Sequence, residues 1–157
     1  MMVEKEKQKT LQYSYFFGYK PNFQEVHYWL VSSKIIHKSK IPKNLVPKIS
    51  QAEQAKKEKR KILSLKKKKL ALKLLKFAKT FPFVWFVGIT GSVAANNASD
   101  SDDIDILIIT APYTLWLVRP LFLFILSLKG IRRGRFTSAN KSKNLICPNL
   151  WLDFFNI

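Results

Sequence analysis

Four aspartates, Asp100, Asp102, Asp103 and Asp105, crowd together in a chain of 157 residues whose formal net charge is +18. Two of them alternate with isoleucines inside the run DIDILIIT (103–110). On a strand, alternate side chains share a face, so Asp103 and Asp105 point the same way while Ile104, Ile106 and Ile108 point the other way. Neighbouring carboxylates repel, and a hard cation such as Mg²⁺, which takes oxygen ligands, would hold them together. Upstream, Gly91-Ser92 lies between the apolar run FVWFVGI (83–89) and a helix start in Val93–Asn97. Glycine lets backbone come close to a ligand, and the N–H groups of a helix start, with a serine hydroxyl, suit phosphate oxygens. A phosphate cradle beside a metal-binding acid pair would hold a metal-bound triphosphate, in which the metal activates the attacking oxygen and stabilises the leaving one.

These residues must be positioned by a small sheet. The apolar runs predict strands at 83–88 and 103–110 as neighbours in a mixed sheet, and a third at 145–153, which Pro148 confines to an edge or a bulge. Residues 114–128 read as an apolar helix. A basic, polar loop, GIRRGRFTSANKSK, covers 130–143. Residues 50–79 read as one long helix, with Leu63, Leu70, Leu74 and Phe77 on one side and the lysine runs facing solvent. In 11–49, Asn22 and Glu25 have the spacing of a capping box. Val26, Trp29 and Leu30 then share one face, and Pro42 and Pro47 argue for loop. Trp85, Trp116 and Trp151 read as core; His27 and His37, without ligand partners at suitable spacing, read as structural. The expected class is α/β (α+β): a helical N-terminal module (1–49), a connecting helix (50–79) and a core with a small mixed sheet and flanking helices (80–157).

Charge and composition narrow the partners. Twenty-one of the 28 Lys and Arg lie before residue 80, and no acid occurs from 106 to 152. A basic surface attracts polyanions, either nucleic acid through the N-terminal half or a nucleoside triphosphate. The single cysteine, Cys147, cannot form an internal disulfide, which fits a reducing compartment. Residues 1–10 lack the apolar stretch of a secretory signal. Arg119 and Pro120 interrupt 115–128, which is too short to span a membrane. The expected location is the cytoplasm.

The arrangement resembles the nucleotidyltransferase superfamily typified by DNA polymerase beta. Its signature is an apolar residue, Gly, then Gly or Ser, about nine to thirteen further residues, and Asp, apolar, Asp or Glu, apolar. Here Gly91-Ser92 is followed by ten residues (93–102) and then Asp103-Ile104-Asp105-Ile106. Thr90 stands where an aliphatic residue is usual. The run VGITGSVAANNASDSDDIDILIIT looks like the bacterial and archaeal nucleotidyltransferase-domain proteins, in which a winged-helix-like module of the YFFGYKPNFQEVHYWL kind comes first. The resemblance implies that Asp103 and Asp105 ligate Mg²⁺, in a one- or two-metal site, and that Gly91 and Ser92 hold nucleotide phosphates. It implies transfer of a nucleoside monophosphate from a Mg-bound nucleoside triphosphate to a hydroxyl acceptor that the sequence does not identify. A third carboxylate on a later strand is usual, and Asp153 is the only acid after Asp105. Members normally continue further, so the core is expected to be C-terminally incomplete.

Three other readings compete with this one. A Rossmann-type dinucleotide turn fits VGITGSVA poorly, because Ala94 and Ala95 stand where a third glycine helps packing and the acids precede ILIIT rather than follow it. A P-loop is excluded because no Lys follows Gly91-Ser92. A non-catalytic, basic nucleic-acid-binding or degenerate nucleotidyltransferase-fold protein remains the alternative.

Overall fold

The computed structural model describes residues 2–41, 48–134, 136–138 and 141–156. The expected loop at Pro42 and Pro47 lies outside them. The chain divides into two units, Met1–Ala55 and Lys56–Ile157, and the division falls inside a long helix.

In the first unit, helix α1 (Met2–Phe16) precedes helix α2 (Phe23–Tyr28). Asn22 and Glu25 form the capping box their spacing predicts. The Glu25 N–H donates to Asn22 Oδ1 at 2.9 Å and the Asn22 N–H to Glu25 Oε2 at 2.7 Å. Leu11 and Val26 are buried together, with Phe23 and Leu30 against them. Trp29 departs from its expected place. It is the residue just after α2, where the helical face has ended, and its ring is exposed. Thr10 ties the unit together: its hydroxyl donates to the Glu6 carbonyl and accepts from the Val31 N–H, each at 2.9 Å. His27 is structural as expected, with Nε2 3.1 Å from the Ile36 carbonyl. The described residues of this unit contain no strand.

The second unit is mixed α and β. Helix α3 (Gln51–Leu75) enters it and tightens into a 3-10 turn (Lys76–Thr80). Then come strand β1 (Val84–Ile89), the single turn of helix α4 (Gly91–Ala94), strand β2 (Ile104–Thr110), helix α5 (Leu115–Leu128) and strand β3 (Ile146–Asp153). The sheet order is β1-β2-β3. β1 and β2 are antiparallel, while β2 and β3 are parallel. α5 lies within the connection between the parallel pair, as such a connection requires. Pro148 sits on the edge strand, next to a register shift between Ile106 and Leu107, as its missing donor demands.

The core follows the strand alternation. Ile104, Ile106, Ile108 and Thr110 are fully buried, and the residues between them are half-buried. Val118, Phe122 and Leu126, spaced by four, are the buried face of α5, and Phe122 and Leu126 pack in that layer. Phe122 stacks on Phe77 at 5.4 Å and meets Phe81 and Trp151 edgewise or tilted. Burying such a ring contributes about 1.5–3 kcal/mol. Trp151 therefore packs against the core as expected. Trp85 and Trp116 do not, being 55% and 73% exposed. Trp116 falls on the opposite side of α5 from Val118, and Trp85 meets Phe154 near the chain's end.

α3 also buries a different side from the one its leucines suggest. Ser64, Lys67 and Ala71, at helical spacing, are its fully buried residues, while Leu63 and Leu70 are half-buried. The side chain of Leu74 lies outside the described ones. Lys67 was expected in solvent with its neighbours. Instead its ammonium group donates to the carbonyls of Asp100 (3.1 Å) and Asp102 (2.6 Å) and to Asn144 Oδ1 (3.1 Å). Ammonium carries three hydrogens, so burial is satisfied in full.

Candidate metal-binding site

The acids are set at the start of β2 by the loop before it. Ser64 Oγ accepts the Ala98 N–H at 3.0 Å, Arg60 donates to Asn97 Oδ1 at 2.8 Å, and Lys68 donates to the Ala94 carbonyl and Asn96 Oδ1. With Lys67, one face of α3 thus holds 94–102 at six points. Asp102 does not join the candidate site. Its carboxylate accepts from the Ser92 hydroxyl (2.6 Å), the Ser99 N–H (3.0 Å) and the Ser99 hydroxyl. Burial pushes its carboxyl up, but these hydrogen bonds outweigh it and hold the group below its ordinary value. Ser92 therefore spends its proton on the loop, which a phosphate-binding role had not anticipated.

Asp103 and Asp105 come together with a residue the sequence had offered only as a lone thiol. One oxygen of each carboxylate and Cys147 Sγ lie within 4.8 Å of one another. The register explains this, because Cys147 is the β3 partner of Asp105. Asn149, two residues on, donates from Nδ2 to Asp105 Oδ1 at 3.0 Å. Arg133, from the basic loop, donates from Nη1 to Asp103 Oδ2 at 2.6 Å. Its backbone is fixed too: the Arg133 N–H donates to the Ile146 carbonyl at 2.8 Å.

Charge is poorly balanced here. Burial, then the neighbouring Asp103 carboxylate, push the Asp105 carboxyl above its ordinary value. Burial and the same two aspartates push the Cys147 thiol up to about 11. It thus stays protonated at neutral pH. Asp103 raises the already high value of Arg133 further.

The turn before α4 makes room for this cluster. Gly91 has φ +64°, and a Cβ there would lie 2.4 Å from Asp105 Oδ2. The Thr90 N–H donates to the Asp105 carbonyl at 2.9 Å, pinning turn to strand. Asp103 and Asp105 bring one oxygen each close enough to share a small hard cation, and Gly91 sets no side chain against Asp105. The protonated thiol is a neutral neighbour rather than a third hard ligand.

Asp153 is not brought to the site. It pairs with Thr110, at the far end of β2 from Asp105. Five residue steps along the strand separate those ends, about 17 Å. Asp153 instead accepts the Phe155 N–H at 3.2 Å and lines an apolar depression with Tyr113, Trp116 and Phe155. In a parallel pair, the position across from Asp105 belongs to the start of β3, where the chain has Cys147 and Asn149. Arg119 is exposed on α5.

Among the described residues, no helix is long and apolar enough to cross a membrane. No family model, curated protein or solved structure matches the chain.

Proposed function

We propose that the chain is a nucleotidyltransferase-type protein that binds a nucleoside triphosphate with Mg²⁺ and transfers its nucleoside monophosphate to a hydroxyl acceptor. The observation that carries this reading is the pair Asp103 and Asp105, brought together at the head of β2, with Asp105 against the bare Cα of Gly91. Antiparallel β1 and β2, joined through Gly91-Ser92, support the resemblance found in the motif. When bound, Mg²⁺ supplies charge neutralisation for the polyphosphate and a lowered barrier to oxygen attack. Asp103 and Asp105 hold it. Gly91 sets no side chain against Asp105, and Ser92, through Asp102, fixes the loop that leads through Asp103 into β2.

The absence of a carboxylate at Cys147 or Asn149 favours a second reading, in which the same site binds the nucleotide but turns it over poorly or not at all. Titration calorimetry of ATP with and without Mg²⁺, on the wild type and on Asp103→Ala and Asp105→Ala, tests the shared part. Mg²⁺-dependent binding is expected in the wild type and in neither variant; unchanged affinity in both variants would reject the site. Transfer of labelled nucleotide to a mixture of small-molecule and RNA acceptors then separates the two readings.

A further inference from the structure

We infer that Arg133 is the internal counter-ion of the acid pair and, once a divalent ion takes those acids, the group that binds the ligand's phosphate oxygens. The inference rests on the proposed Mg²⁺ site at Asp103 and Asp105. Three observations lead to it. The guanidinium lies 2.6 Å from Asp103 Oδ2, and its side chain is 37% exposed while that of Asp103 is 12% exposed. Arg133 is therefore the more exposed partner of the pair. Its backbone is tied to Ile146, at the head of β3, and Arg132 forms a bridge to the same residue, so the head group pivots from a fixed root. Finally, Asp103 is the one carboxylate with which Arg133 pairs among the described residues, and no acid occurs in 106–152 to receive it elsewhere.

Charge counting gives the consequence. Without metal, two carboxylates face one guanidinium, leaving one negative charge uncompensated. A divalent ion on the pair reverses the sign, since two negative charges then face three positive ones. Arg133 becomes a surplus cation within reach of whatever the ion binds. A guanidinium whose carboxylate is taken satisfies its donors on phosphate oxygens, for which its planar fork is suited. Arg133 thus opposes the metal alone and favours the metal together with a polyphosphate, coupling the two ligands.

The test uses the full chain, Mg²⁺ alone, and Mg²⁺ with inorganic tripolyphosphate, by titration calorimetry. Arg133→Gln is expected to bind Mg²⁺ alone more tightly and tripolyphosphate in its presence more weakly, each on the order of tenfold. Arg133→Lys, which keeps charge without the fork, should fall between it and the wild type. Asp103→Asn is the control. If Mg²⁺ binding is lost in Asp103→Asn but both affinities are unchanged in Arg133→Gln, the counter-ion role is overturned and the metal site stands. If both affinities fall in Arg133→Gln and Arg133→Lys alike, Arg133 is structural and the inference fails. If Asp103→Asn binds Mg²⁺ as the wild type does, the metal site falls and this inference with it.

Discussion

A Cβ on Gly91 would lie 2.4 Å from Oδ2 of Asp105, closer than carbon and oxygen atoms pack. The same glycine has φ +64°, a conformation in which a side chain is strained. Gly91 is therefore required twice, once by the turn from β1 into α4 and once by the carboxylate beyond it. Gly91→Ala is expected to lower stability by about 1–3 kcal/mol through strain and forced displacement of Asp105. Mg²⁺ binding should be lost with it. Thermal melts and calorimetry measure both, and a variant that keeps wild-type Mg²⁺ affinity would show that the turn does not border the ion.

Asp105 is expected to cost stability at neutral pH. Its folded-state value is raised, by burial first and then by Asp103. A carboxyl with a raised value contributes stability that is present below its unfolded value and lost as pH rises through the folded one. Asp105→Asn removes that loss and keeps an oxygen for the Asn149 amide. The variant should be more stable than the wild type near pH 7. The difference should vanish on acidification to pH values below about 4. Chemical denaturation at several pH values, without divalent ions, reads it directly; a less stable variant at pH 7 would contradict the assignment.

Lys67 is the fold's most exacting polar contact. Burial lowers its value, against the pull of Asp102 and Asp100, yet all three hydrogens are used. Lys67→Met keeps the stem and leaves three acceptors without their donor. A loss of about 2–4 kcal/mol is expected, read from denaturant midpoints. Lys66→Met and Lys69→Met, whose side chains are exposed, should stay within about 0.5 kcal/mol of the wild type.

The strands were legible because their signal is local. Ile104, Ile106 and Ile108 alternate with polar or half-buried neighbours, and Pro148 announces an edge or bulge in its own strand. The capping box at Asn22 and Glu25 is likewise a matter of three residues. The burial of Lys67 was not legible, because a lysine in a run of four looks solvated and its acceptors lie more than thirty residues away. Arg133 and Cys147 were missed for the same reason. A parallel register and a loop root place them beside Asp103 and Asp105, and nothing in GIRRGRF or LICPNLW states either. Asp153, the last acid in the chain, does close the third strand as its place after LICPNLWL suggests, but the parallel pairing that sets that end away from Asp105 is not written in the sequence.

That register also says where a third carboxylate would act. Asp153 faces Thr110 across the sheet, so Asp153→Asn should leave Mg²⁺ affinity unchanged. Cys147 faces Asp105, and its sulfur already lies within 4.8 Å of both carboxylates. Cys147→Asp would exchange a protonated thiol for a hard oxygen donor at nearly the same reach. Three crowded carboxylates with one guanidinium between them should destabilise the metal-free protein, because each ionised neighbour raises the cost of the next. A divalent ion offsets that repulsion and gains a ligand, so Mg²⁺ affinity should rise about tenfold or more while the metal-free melting temperature falls. Calorimetry and melts with and without Mg²⁺ test both halves. If Cys147→Asp lowers Mg²⁺ affinity, the ion does not sit against the head of β3, whereas a gain in Cys147→Asp together with an unchanged Asp153→Asn places it there.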